Sequence, residues 1–194
     1  MTPVRLVLFT RYPQPGQAKT RLIPALGATG AAELHRRLTE KTLATLLTTG
    51  LAVELWVTGA PVAAFEAWLG TTVPIRLQDG EDLGARMNRA LQQTPAIVVG
   101  SDIPSLAAAH IAQAAALLAD GKVALGPAED GGYYLIGLPN PAPFLFEAMI
   151  WSTSDVLAET RRRLEAHAVP YGLLPTLPDL DRPEDLARFP GLLA

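Results

Sequence analysis

Short apolar runs alternate with longer amphipathic stretches along the whole chain. "VRLVLFT" is short, branched and apolar without strict alternation, which predicts a buried strand, and "AVELWVTG", "PIRLQDG" and "AIVVGSD" predict three further strands. Between them lie segments with helical spacing. In "GAAELHRRLTEKTLATLLTTG", Leu34, Leu38, Leu43, Leu46 and Leu47 recur near the helical period and Gly50 supplies a stop. "VAAFEAWLG" predicts a short helix, "DLGARMNRALQQ" one that Asp82 can cap, and "LAAAHIAQAAALLADG" another closed by a glycine. "KVALGPAEDGGYYLIGL" predicts two strands joined by a glycine-rich bend. "STSDVLAETRRRLEAHA" predicts a helix capped at Ser152 or Ser154, and "YGLLPTLPDLDRPEDLARF" a strand, a loop and a short helix. Strands and helices in this order predict an α/β fold, a mostly parallel sheet covered by helices on both faces.

Composition narrows the classes. No repeat or linker divides the 194 residues, which fits one domain over 1–194. Lys and Arg total 16 against 19 Asp and Glu, a balance that offers no footprint for nucleic acid. The chain has no cysteine, which removes disulfides, thiolate metal sites and cysteine nucleophiles together. "MTPVRLVLF" runs straight into the first strand without the pattern of a secretory signal, and no apolar stretch approaches the roughly 20 residues that span a bilayer. The expectation is a soluble, cytoplasmic protein that is not inserted in a membrane.

In sheets of this kind ligands bind beyond the carboxyl ends of the strands. Four segments with chemical potential fall there: "YPQPGQAKTRL", "GSDIPSL", "EDGGY" and "DLDRPED". The first is neither a P-loop nor a dinucleotide fingerprint, because Gly16 stands alone and two residues separate it from Lys19. It reads either as a solvated turn or as a loop that holds phosphate, stiffened by Pro13 and Pro15, opened by Gly16 and charged by Lys19 and Arg21. Asp102, at the end of a buried run, either takes Mg²⁺ or closes the next turn or helix. Ser101 lacks the Gly-x-Ser-x-Gly elbow of a hydrolase nucleophile, and His35, His110 and His167 fall on helices away from the strand ends. Asp130, followed by Gly131, Gly132 and Tyr133, reads as a tight turn or as a surface for a sugar-like or phosphorylated substrate. Asp179 and Asp181 share one face if their segment is extended. Such close like charges either cap the helix near Pro183 or hold a cation between them.

"FTRYPQPGQAKTRL", "QDGEDLGARMNRAL", "GSDIPSL", "GPAEDGGYYLIGL", "WSTSDVLAETRRRL" and "DLDRPEDL", in this order, resemble a bacterial family of glycosyltransferase-A-like proteins. That family is described as nucleotide-diphospho-sugar transferase-like, sometimes as arsenosugar-biosynthesis glycosyltransferase. The first loop is also similar to the Lys-x-Arg-Leu segment of 2-phospholactate guanylyltransferases. The resemblance covers nearly the whole chain and implies a three-layer α/β/α nucleotide-diphospho-sugar transferase (GT-A) fold. It implies a nucleotide or nucleotide-sugar bound by Arg11, Gly16, Lys19, Arg21 and Gly84, with Lys19 and Asp102 as the catalytic pair. A small-molecule acceptor would lie against Asp130, Gly131, Gly132 and Tyr133. Mg²⁺ or Mn²⁺ is implied at Asp102, and by analogy with the guanylyltransferases Asp179 and Asp181 complete that site. The glycosyltransferase Asp-x-Asp signature is reduced here, since Ile103 and Pro104 follow Asp102. Three activities fit this resemblance: a glycosyltransferase, a nucleotidyltransferase that releases pyrophosphate, and a nucleotide-binding module without turnover.

Overall fold

The computed structural model describes residues 3–192. Its strands β1 (Arg5–Arg11), β2 (Ala52–Thr58), β3 (Ile75–Leu77), β4 (Ala96–Gly100), β5 (Val123–Pro127), β6 (Tyr133–Leu138) and β7 (Tyr171–Leu173) form one seven-stranded sheet. Their spatial order is β3-β2-β1-β4-β6-β5-β7. β1 is parallel to β2 and β4, β2 to β3, and β5 to β7. Only β6 runs against its neighbours. The bend between β5 and β6 is too short for a crossover helix, so these consecutive strands must pair antiparallel.

Among the described residues five α-helices cover the sheet: α1 (Ile23–Leu47), α2 (Val62–Leu69), α3 (Leu83–Ala90), α4 (Ala108–Ala119) and α5 (Val156–Ala166). Alternate residues of the central strands feed two cores. Leu6, Leu8, Leu55, Val57, Ile97 and Val99 pack with Leu46, Phe65, Ile111 and Leu118 of α1, α2 and α4. Val7, Phe9, Trp56 and Val98 pack on the other side with Met87 of α3 and Leu164 of α5. Both faces of the strands are therefore apolar, as their unbroken hydrophobic runs require.

Three local expectations change. α1 begins before the expected glycine and is kinked at Gly27, whose φ of 70° is not helical. Its Leu34, Leu38, Leu43 and Leu46 are buried, but Leu47, one position further round the last turn, is exposed. Neither Ser152 nor Ser154 caps α5. The residue before the helix is Asp155, and Ser152 adopts a positive φ of 63°. Asp82 does cap α3, its carboxylate accepting from the Ala85 amide at 2.7 Å. Among the described residues no helix is long and apolar enough to cross a membrane.

β2 and β3 lie on one side of β1, and β4 on the other, so the strand order reverses between β1 and β4. In doubly wound sheets the crevice at such a reversal, beyond the carboxyl ends, is where ligands bind.

Candidate nucleotide-binding site

That crevice is where the first loop and Asp102 meet. β1 ends at Arg11, and residues 12–19 close a compact loop on itself. Gln17 and Ala18 amides both donate to the Gln14 carbonyl, and the Arg11 guanidinium donates to the Gln17 carbonyl at 2.9 Å. Gly16 is at the exposed tip of the loop, with φ 81°. Ala18 and Lys19 turn inward and are buried.

Lys19 is the centre of the site. Its ammonium donates to the Leu180 carbonyl, lies 2.7 Å from Asp102 Oδ1 and 3.7 Å from Asp181 Oδ1, and only 3% of its side chain is exposed. Arg21 pairs with the other oxygen of Asp181 from the surface. The tail reaches this position through its backbone. The Leu180 amide donates to the Asp102 carbonyl at 3.0 Å, which brings Asp181 beside the end of β4.

This arrangement corrects the three-aspartate expectation. Among the described residues no group of three or more His, Cys, Asp or Glu side chains is placed to hold a metal ion. Asp102 and Asp181 do converge, but the Lys19 ammonium stands between them. The capping alternative also fails. The Ala107 amide at the start of α4 donates to His110 Nδ1, and Asp185, not Asp179 or Asp181, accepts from the backbone amides of Asp181 and Arg182.

The charges follow from this geometry. Partial desolvation works to raise the Asp102 carboxyl, about half of whose side chain stays exposed, but the Lys19 ammonium and the nearby His35 outweigh it and hold the group below the usual carboxylate range. Asp179 moves the other way. Partial burial raises it, and the negative charges of Asp130, Asp185 and Asp181 raise it further. The crevice thus has a cationic centre on one side and an acidic rim on the other.

Asp130 lies in that rim, in the turn after β5, where its side chain accepts from the Gly132 amide at 2.8 Å. Gly131 has φ 90°, and a Cβ there would lie 2.1 Å from the Ser154 carbonyl oxygen, so this turn is pressed against the start of α5. Tyr133 does not present a free hydroxyl. It is bonded with Thr160, and burial raises it beyond the usual phenol range. Gly84 opens α3 under the indole of Trp151, whose ring atoms would come within 2.8 Å of a Cβ. Its place in the fold is a close packing contact, and the Trp151 indole N–H is buried there without a partner.

One polar neighbourhood beside the candidate site escaped the sequence. His35, on α1, is buried behind the loop, and its Nε2 donates to the Arg11 carbonyl at 3.0 Å. Thr10 Oγ1 lies 3.4 Å from the same nitrogen, 3.0 Å from Thr39 Oγ1 and 3.4 Å from Ser101 Oγ. These bonds tie α1 to the ends of β1 and β4, directly behind Lys19 and Asp102. Burial holds the His35 imidazole below its usual range, with Lys19 and Arg11 adding to the effect against Asp102. A signal was present: His35, Thr39 and Thr42 form a polar row at helical spacing among buried leucines, and Thr10 and Ser101 end apolar strands.

The sequence profile of the family described as "Uncharacterized protein conserved in bacteria" (DUF2064) matches residues 42–153. The chain belongs to that family. No curated protein matches it. Among solved structures, this DUF2064 protein is similar to a candidate nucleotide-diphospho-sugar transferase from Desulfovibrio desulfuricans G20. The identity is 31%, with a TM-score of 0.89, and the match covers 94% of this chain and 84% of the other. A nucleotidyl transferase from Methanothermobacter has the same fold at 17% identity and a TM-score of 0.67, covering 100% of this chain and 98% of its own. So does a Mycobacterium tuberculosis H37Rv protein in complex with manganese, at 18% identity and a TM-score of 0.59, covering 99% and 98%. The fold is that of the nucleotide-diphospho-sugar transferases, three layers around a mostly parallel sheet.

Proposed function

We propose that this protein is a nucleotide-dependent transferase, and specifically one that moves a glycosyl group from a nucleotide-sugar donor to a small-molecule acceptor. The observation that carries the reading is the Lys19–Asp102–Asp181 cluster, assembled from three distant segments at the reversal point of the sheet. The 31% identity with a candidate nucleotide-diphospho-sugar transferase supports the donor class.

In this reading the donor's phosphates lie over residues 11–21. Gly16 lets the phosphates approach the backbone, and Lys19, Arg11 and Arg21 offset their charge. Gly84, packed against Trp151 at the start of α3, would belong to the nucleotide side. The acceptor approaches from the side of Asp130, Gly131 and Gly132, with Tyr133 bracing that turn from inside. No side chain here is an evident covalent nucleophile, so the residues act by position and charge on the leaving diphosphate.

The donor set fits a divalent cation. Mg²⁺ takes one or two carboxylates and completes its shell with phosphate and water. Asp102 is held ionised by the Lys19 ion pair, and Asp181 lies beside it on the same ammonium. Mg²⁺ or Mn²⁺ held by Asp102 and Asp181 would neutralise charge on the leaving diphosphate. Asp179, whose carboxyl is raised, would serve as an outer acidic neighbour.

The meeting of a tail aspartate with Asp102 equally favours a second reading, nucleotidyl transfer with release of pyrophosphate. A thermal-shift series of nucleoside triphosphates and nucleotide-sugars, with and without Mg²⁺, tests both. A ligand at 100 times its dissociation constant adds about 2.7 kcal/mol. Stabilisation by a nucleotide-sugar, followed by release of nucleoside diphosphate to an acceptor, supports the first; pyrophosphate release supports the second. Binding without turnover for every donor refutes both and leaves a nucleotide-binding module. Lys19→Ala is expected to weaken nucleotide binding about tenfold or more, as expected for losing a charge-assisted contact. Unchanged affinity in calorimetry removes the loop from the site.

A further inference from the structure

The position that Lys19 occupies is built from oxygen. Two carboxylate oxygens and the Leu180 carbonyl surround its ammonium, the kind of donor set that a hard divalent cation takes. An ammonium carries three N–H groups, and here three protein oxygens lie within ion-pair or hydrogen-bond distance of it. The backbone is committed to the same end. Lys19 has φ 49° and ψ 45°, a left-handed conformation that residues other than glycine seldom adopt. The Leu180 carbonyl and Asp102 take two of these N–H groups and the third faces Asp181 at ion-pair distance, so a phosphate has to compete with carboxylates for this lysine.

We propose that the Lys19 ammonium is the resident cation of this site in the unliganded protein, and that a divalent cation enters by displacing it. Asp102 and Asp181 would then hold the metal, and the Lys19 ammonium would move to the phosphate of the nucleotide. This inference rests on the site's being a nucleotide and metal site. The two cations compete, because an ammonium and a metal sharing the same two carboxylates repel each other at short range. A phosphate then supplies the displaced lysine with a new partner, so each ligand lowers the cost of binding the other. Linkage makes the coupling reciprocal: nucleotide tightens metal binding by the factor with which metal tightens nucleotide binding.

The test is a titration with Mn²⁺ alone, free ion measured by electron paramagnetic resonance, on wild type, Lys19→Met and Lys19→Gln. Loss of the competing charge is expected to tighten Mn²⁺ binding by about tenfold or more in both variants. The same variants weaken nucleotide binding, so one residue moves two affinities in opposite directions. Equal or weaker Mn²⁺ affinity in a variant that still melts cooperatively overturns the displacement and leaves the transferase reading standing. Absence of Mn²⁺ binding in wild type and variants alike, with a nucleotide-sugar present as well, overturns both. A wild-type readout covers the case in which neither variant folds. Acetylation of Lys19, followed by mass spectrometry, is expected to be slow without divalent ion and faster when Mg²⁺ fills the site. A rate that Mg²⁺ leaves unchanged while it competes away bound Mn²⁺ overturns the proposal.

Discussion

Replacing Asp102 by Asn keeps the side chain's shape and removes the charge that lies 2.7 Å from the Lys19 ammonium. If this region held only carboxylates, the change would relieve repulsion and leave the melting temperature level or higher. Lys19 reverses that sign. After substitution its nearly buried ammonium keeps the Leu180 carbonyl and the more distant Asp181, but loses its closest counter-charge. Breaking a fully buried ion pair costs about 3–5 kcal/mol, and an exposed pair contributes about 0–1. Lys19 is 3% exposed and Asp102 51%, so solvent screens one end, and a loss of about 1–2 kcal/mol is expected. In a chain of this size each kcal/mol moves the melting temperature by roughly 2–4 °C. Circular dichroism melting at pH 7 without divalent ions measures it. Lys19→Met combined with Asp102→Asn should cost less than the sum of the two single changes, since the orphaned charge is gone. A melting temperature for Asp102→Asn equal to or above wild type refutes the argument, because the ion pair would then contribute nothing to the fold.

Two further outcomes follow from the shifted groups. Asp179 is raised, so the folded state disfavours its charged form at neutral pH. Asp179→Asn is expected to raise the melting temperature at pH 7, with the gain vanishing as pH falls towards the ordinary value of 3.8; a melting series that shows no gain at pH 7 contradicts this. His35 is lowered, so the unfolded chain binds its proton more readily. Its contribution to stability is complete above the ordinary value of 6.5 and is lost as pH falls through the lower folded value. The wild-type melting temperature should therefore decline on acidification below that point, and His35→Gln should flatten this part of the profile. A profile with the same slope in both proteins shows that His35 does not cause it.

Much of the fold was legible because its rules are local. An apolar run too short for a helix, such as that from Val4 to Phe9, predicts a doubly buried strand, and Leu6 and Leu8 do face one core while Val7 and Phe9 face the other. Asp82, in front of a helical pattern, predicted its own cap. Where local rules failed, a distant group decided the outcome. Ser154 does not cap α5 because its carbonyl is packed against Gly131, and the Leu157 amide of α5 donates to the Gly131 carbonyl at 3.0 Å.

The site divides along the same line. That Lys19, Asp102 and Asp181 would come to one sheet edge followed from strand order, since each lies after a strand. What occupies the space between the carboxylates did not follow. Like charges at Asp179 and Asp181 left a cation or a helix cap open, and the sequence does not rank an external metal at Asp102 against an ammonium that is 161 residues away from its carbonyl partner in the tail. The choice is made by the Leu180 amide bonding to Asp102, which sets the tail at the height of the lysine. His35 was passed over for the same reason: a histidine on a helix reads as structural until the carbonyl it serves is known. Here that carbonyl belongs to Arg11, the root of the loop, so the buried polar row of α1 connects helix packing to the position of Lys19. A substitution at Thr10 or Thr39 would therefore act on the site from behind, through the ends of β1 and β4 rather than through any contact with a ligand.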